Sequence, residues 1–101
     1  MRVRLAKPTG GFAMACFIVA YDLNQTGQNY TCVTGKIRAL PHCHAQGSVW
    51  FVEWSGTAGT LRDHLKSCLD TNDKIFVDQV SQTWAGYNMS VCGKWLNDRG
   101  C

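Results

Sequence analysis

Cys16-Phe17-Ile18-Val19-Ala20-Tyr21-Asp22-Leu23 is a β-branched and aromatic run with almost no polar interruption. A strand that is apolar on both faces belongs in the middle of a sheet covered on both sides, so this stretch reads as the first and central strand. Asn24-Gln25-Thr26-Gly27-Gln28-Asn29 follows as a polar, glycine-containing loop, with Asn29 or Thr26 placed to cap the next element. From Tyr30 to Leu40 the apolar residues Tyr30, Val33, Ile37 and Leu40 recur at helical spacing. Lys36 and Arg38 fall late, where cations meet the negative end of the helix dipole, and Pro41 ends the helix.

Working onward, His42 to Ala45 is a short strand, Gln46-Gly47 a tight turn and Ser48 to Ser55 an aromatic strand, together a hairpin. Thr57 to Leu69 is the clearest helix: Leu61, Leu65, Cys68 and Leu69 line one face, and Thr60 with Asp63 gives a weak capping box. Asp70-Thr71-Asn72-Asp73 is turn chemistry, and Lys74 to Val80 is a last strand whose Asp78 suits a sheet edge. Beyond Ser81, Asn88 or Ser90 caps a short helix through Val91, Trp95 and Leu96. The order β-α-β-β-α-β predicts an α+β, ferredoxin-like fold: a four-stranded antiparallel sheet, two helices on one face and a short C-terminal helical tail. Phe, Trp and Val on both strand faces imply that the second face is covered. A homodimer through the sheet is the natural cover, and the tail is the alternative.

The chain has 101 residues with 10 Lys+Arg against 7 Asp+Glu, a net charge of +3. Arg2, Arg4 and Lys7 account for the whole excess, so residues 14–101 are balanced. Residues 1–13, with Pro8 and Gly10-Gly11, read as a poorly ordered basic extension, and 14–101 as one domain. With 17% charged residues the domain lacks the basic stripe of most non-specific nucleic-acid binders, which leaves the leader as the basic arm. Gly11 to Ala20 superficially resembles a secretory signal. Its apolar run continues to Tyr21 and ends at Asp22, far short of the ~18 residues that span a bilayer, so neither signal nor membrane segment is expected. The cysteines (16, 32, 43, 68, 92 and 101) fall among apolar strand and helix residues. That placement favours small buried thiols in a cytoplasmic protein over a disulfide framework, which for six cysteines would have 15 connectivities.

Asp22 is the leading candidate for chemistry. It ends the central strand before a loop and a helix N-terminus, where backbone N–H groups are free to hold an anion. A carboxylate there could recruit Mg²⁺ or Mn²⁺ to a phosphodiester, two copies in a dimer sharing the work. The alternative is a strand-ending aspartate that bonds the loop backbone. Glu53, on the strand expected to neighbour the first, is the least remote second acid. Thr26, Gly27 and Gln28 could cradle a phosphate while Tyr30 stacks on a base, against a polar loop with Tyr30 in the core. His42 and His44, two apart on a strand, share a face as zinc ligands would, but no local spacing supplies a third ligand, and structural histidines are the competing reading. The tryptophans (50, 54, 84 and 95) read as core or dimer-face residues.

The stretch from Phe17 to Tyr30 resembles the start of the SinR-like group of small bacterial and phage proteins, a ferredoxin-like group. The likeness continues through His42-Cys43, Ser48 to Val52, Leu61 to Leu65, Asn72 to Val77, Trp84-Ala85-Gly86 and Trp95-Leu96. The element order and the Tyr21-Asp22 ending also resemble the CRISPR-associated protein two family and, more distantly, the VapD ribonucleases. Those resemblances imply a homodimer and, for some members, metal-dependent cleavage of RNA or DNA, a role that maps here onto Asp22 alone. Two functions are therefore expected: a dimeric nucleic-acid-binding protein or metal-dependent nuclease, or a non-catalytic nucleotide- or protein-binding module of a phage or defence system.

Overall fold

β1 (Ala15–Asp22) lies between two antiparallel neighbours, β3 (Val49–Trp54) and β4 (Lys74–Gln79), and β2 (His42–Gln46) completes the sheet in the order β2-β3-β1-β4. The helices α1 (Gln28–Arg38), α2 (Ala58–Lys66) and α3 (Ser90–Asp98) alternate with and follow the strands. This computed structural model describes residues 14–24 and 28–101; the expected extension at 1–13 and the loop positions Gln25, Thr26 and Gly27 lie outside the described residues. Among the described residues the chain is α+β, with a four-stranded antiparallel sheet and three helices.

Strand periodicity divides the sheet into two faces. Phe17, Val19 and Tyr21 of β1 and Trp50 and Val52 of β3 point to one side, where Val33 and Ile37 of α1 and Leu61 and Leu65 of α2 bury them in the main core. The second face carries Cys16, Ile18, Cys43 and Phe51, and there Cys92 and Leu96 of α3 form a smaller cluster with Cys101. The tail therefore covers part of the face for which a homodimer was the first expectation. α3 lies over the β2 side; on the β4 side Phe76 remains 64% exposed.

The expectation of reduced thiols is corrected. All six cysteines are paired, as Cys16–Cys101, Cys32–Cys68 and Cys43–Cys92. Apolar surroundings in sequence did not distinguish buried thiols from buried half-cystines, since both are small and apolar. One bridge ties α1 to Cys68, two residues past the end of α2, and the other two tie the tail to β1 and β2. Chain entropy alone assigns such loops about 4 kcal/mol each, not additively.

Local signals place the element ends. α2 begins at a capping box between Thr57 and Thr60, three residues earlier than the expected pair Thr60 and Asp63: Thr60 N–H donates to Thr57 Oγ1, and Thr57 N–H to Thr60 Oγ1. α3 starts after Met89 with no side-chain cap, although both Asn88 and Ser90 had the chemistry for one. Its end is a Schellman motif: Cys101 N–H donates to Leu96 O at 2.9 Å and Gly100 N–H to Asn97 O at 3.0 Å. Gly100 at φ 75° takes the left-handed position that this motif reserves for glycine, and the reversal returns Cys101 to Cys16.

Candidate functional site

Asp22 ends β1 exposed to solvent, opposite Lys74 in the register of β4. Cross-strand partners share a face, so the carboxylate has a cation as its strand neighbour. Glu53 is excluded as its partner in one chain. It lies opposite Cys16, six residues back along β1, or about 20 Å away at the rise of a strand. Glu53 instead pairs with Arg99 at 3.4 Å, while the Arg99 guanidinium lies 3.9 Å from the Trp95 ring centre. No group of three His, Cys, Asp or Glu able to hold a metal ion occurs among the described residues.

The loop candidates divide in the same way. Thr26 and Gly27, and the side chain of Gln28, lie outside the described residues. Tyr30 is half-buried in the main core, its ring edge-on to Tyr21 at 5.9 Å. Asn29 lies inside α1 and is no cap; its amide donates to Asp70 Oδ2 and Asp73 Oδ2 at 2.9 and 2.8 Å.

Asp73 organises this end of the molecule. Its carboxylate accepts from the backbone N–H of Asp70 at 2.8 Å and of Asn24 at 2.7 Å, besides Asn29. The Asp70 bond first, then those from Asn24 and Asn29, holds the carboxyl below its ordinary value of 3.8. The ionised form is thus favoured by folding. Its stabilisation is complete above the unfolded value and is lost as pH falls through the lowered one. Asp73→Asn is expected to lower the urea midpoint at pH 7 and to flatten the acid side of the stability curve. An equally steep loss of stability between pH 5 and 3 in wild type and variant would contradict this role.

His42 and His44 share a face as expected, and both are engaged. His42 Nδ1 lies 2.8 Å from Leu40 O, His44 Nε2 lies 2.7 Å from Gly47 O, and both rings meet buried Trp50, that of His44 stacked at 3.7 Å. Cys43 between them points to the other face and joins Cys92.

What sequence reasoning missed is a groove of about 360 Å³ on the second sheet face, roofed by the segment after β4 and by α3. Ile18 and Phe51 form its floor, with Trp84, Met89 and Leu96 opposite. Trp84 is fixed at both ends of its ring. Its Nε1–H donates to Cys101 O at 3.0 Å, and Gly93 permits so close an approach that a Cβ there would meet the ring at 3.4 Å. Among the groove's lining residues Asp78 is the one with a formal charge. The readable signal was the even-numbered Cys16 and Ile18 on β1 together with the two tail cysteines. Together these mark a second face that the tail must reach.

A second, shallower depression lies beside the Asp70–Asp73 turn and gathers Arg62, Lys66 and Lys74. Arg62 is already paired with Asp63 at 3.0 Å. No protein-family model and no solved structure matches the chain. No helix of the described residues is long and apolar enough to cross a membrane.

Proposed function

We propose that the chain is a non-catalytic binding module, ferredoxin-like in arrangement, that takes an apolar or aromatic side chain of a protein partner in the groove under Trp84. The β-α-β-β-α-β order and the strand order β2-β3-β1-β4 support that arrangement, which is also what the SinR-like resemblance implies. The groove carries the functional reading. Its volume is at the lower end of ligand sites, its lining is mainly apolar, and its one charge is the carboxylate of Asp78. A nucleotide would bring phosphates to a site with an acid and no base. A neutral or cationic group with an apolar body fits better. The complete pairing of six cysteines supports work in an oxidising compartment in place of the cytoplasm first expected.

One observation favours a second reading as a phosphate or nucleic-acid contact. Lys66 and Lys74 flank one depression at the end of the sheet where Asp22 lies opposite Lys74, the place where Mg²⁺ would be recruited. A single titration separates the two. Isotope-labelled protein is followed by amide and indole N–H shifts while N-acetyltryptophanamide, and separately adenosine monophosphate with Mg²⁺, is added. Shifts at Ile18, Phe51 and the Trp84 indole with the neutral aromatic, weakened in Trp84→Ala, are expected. Shifts with the nucleotide alone, at Lys66, Lys74 and Asp22, would replace the first reading by the second.

A further inference from the structure

The groove's roof is attached to the sheet differently from the rest of the molecule. In the main core, eleven buried residues pack together and Cys68 is the single half-cystine among them. In the second cluster, four of the six buried residues are half-cystines: Cys16, Cys43, Cys92 and Cys101. The remaining two are Phe51 from the sheet and Leu96 from α3; half-buried Trp84, Met89 and Trp95 pack against them, and the part-exposed Arg99–Glu53 pair at 3.4 Å adds one ion pair from the tail to β3. The bonds from Gln82 to Gly100 O and from Trp84 to Cys101 O join the tail to itself and would move with it. Val80 N–H donates to Cys16 O at 2.8 Å and continues the strand ladder, which fixes one end of the tail as a hinge. A nine-residue helix has little stability of its own in water.

We propose that residues 81–101 form a thiol-releasable flap, and that a dithiol reductant opens the groove by reducing Cys43–Cys92 and Cys16–Cys101 while the main core stays folded. One thiolate of the dithiol attacks a sulfur of the bridge, forming a mixed disulfide and releasing a cysteine thiolate that takes up a proton. The second thiol then displaces the other protein sulfur. Two electrons pass to the bridge, which ends as two thiols, and the dithiol ends as its own disulfide. The flap rests on the groove reading only for its consequence, loss of the ligand site.

Full-length oxidised protein is titrated with dithiothreitol, opened thiols are counted by alkylation and mass, and amide exchange is read by segment. Once the four thiols of the two bridges are alkylated, exchange in 90–98 is expected to rise at least tenfold while 16–21 and 49–54 stay protected. Cys32→Ala/Cys68→Ala, which keeps both tail bridges, should show the same flap protection as wild type before reduction and the same release after it. Unchanged protection of 90–98 with all four thiols alkylated overturns the proposal, as does simultaneous loss of protection throughout the chain. N-acetyltryptophanamide is the parallel probe. If it never binds the oxidised protein yet 90–98 is released on reduction, the flap is supported and the groove reading alone fails.

Discussion

Trp50→Ala is expected to lower the free energy of unfolding by about 3–5 kcal/mol, the range for removing a large aromatic from a packed core. Trp50 is the largest fully buried side chain, and several neighbours depend on it at once. Its Nε1–H donates to Tyr21 Oη at 3.0 Å between the two central strands. His44 stacks on its ring, His42 meets it edge-on, and the Arg38 guanidinium lies 5.4 Å from its centre. Truncation would open a cavity under α1, leave the buried Tyr21 hydroxyl without its donor and remove the surface on which the β2 histidines rest. Tyr21→Phe, which removes only the hydroxyl, should cost about 1 kcal/mol. Denaturant unfolding of both variants and of the double variant checks the assignment. A Trp50→Ala loss no larger than that of Tyr21→Phe would show that packing around the ring contributes little.

Cys16→Ala/Cys101→Ala is the second large effect. Loss of one native bridge from a small domain costs about 2–5 kcal/mol, and this pair closes the longest of the three loops, with a sequence separation of 85. Cys16 is buried in the central strand, so alanine keeps the site apolar and the comparison isolates the bond. The expected signature is a lower thermal midpoint under oxidising conditions, with the two remaining bridges intact by mass. An unchanged midpoint would mean that Phe51, Leu96 and the Arg99–Glu53 pair already hold the tail without the bridge.

His64 gives the neutral pH range a small slope of its own. Partial burial, and secondarily the charge of Lys36, pushes it below its ordinary value of 6.5. Folding therefore favours the neutral ring, and its contribution is complete above 6.5 and is lost as pH falls through the lowered value. Lys36 is fixed nearby because its Nζ donates to His64 O and Ser67 Oγ at the end of α2.

The candidate site was legible only in part. The place of Asp22 at the end of β1 was readable because a charged residue ending an apolar strand is visible in one dimension. Its partners were not, because they depend on register. A six-residue offset along β1 removes Glu53 from reach and brings Lys74 alongside. Asn29 had the composition of a cap, yet its amide reaches Asp70 and Asp73, more than forty residues away in sequence. The groove had no local motif at all. Its floor comes from strands and its roof from the tail, and each half reads separately as ordinary core.

Periodicity and turn chemistry, which act within a few residues, determined the helices and strands of the described residues and the central place of the first strand. A Gly100 reversal, a Thr57 cap and a Pro41 stop act over the same short range. Only the tertiary structure decided how the six cysteines pair, that the tail covers the β2 side of the second sheet face, and that a groove remains beneath it. Those outcomes depend on which residues meet across 36 to 85 positions of sequence. A half-cystine and a buried thiol have nearly the same local chemistry, and they are distinguished only by whether a second sulfur arrives within bonding distance.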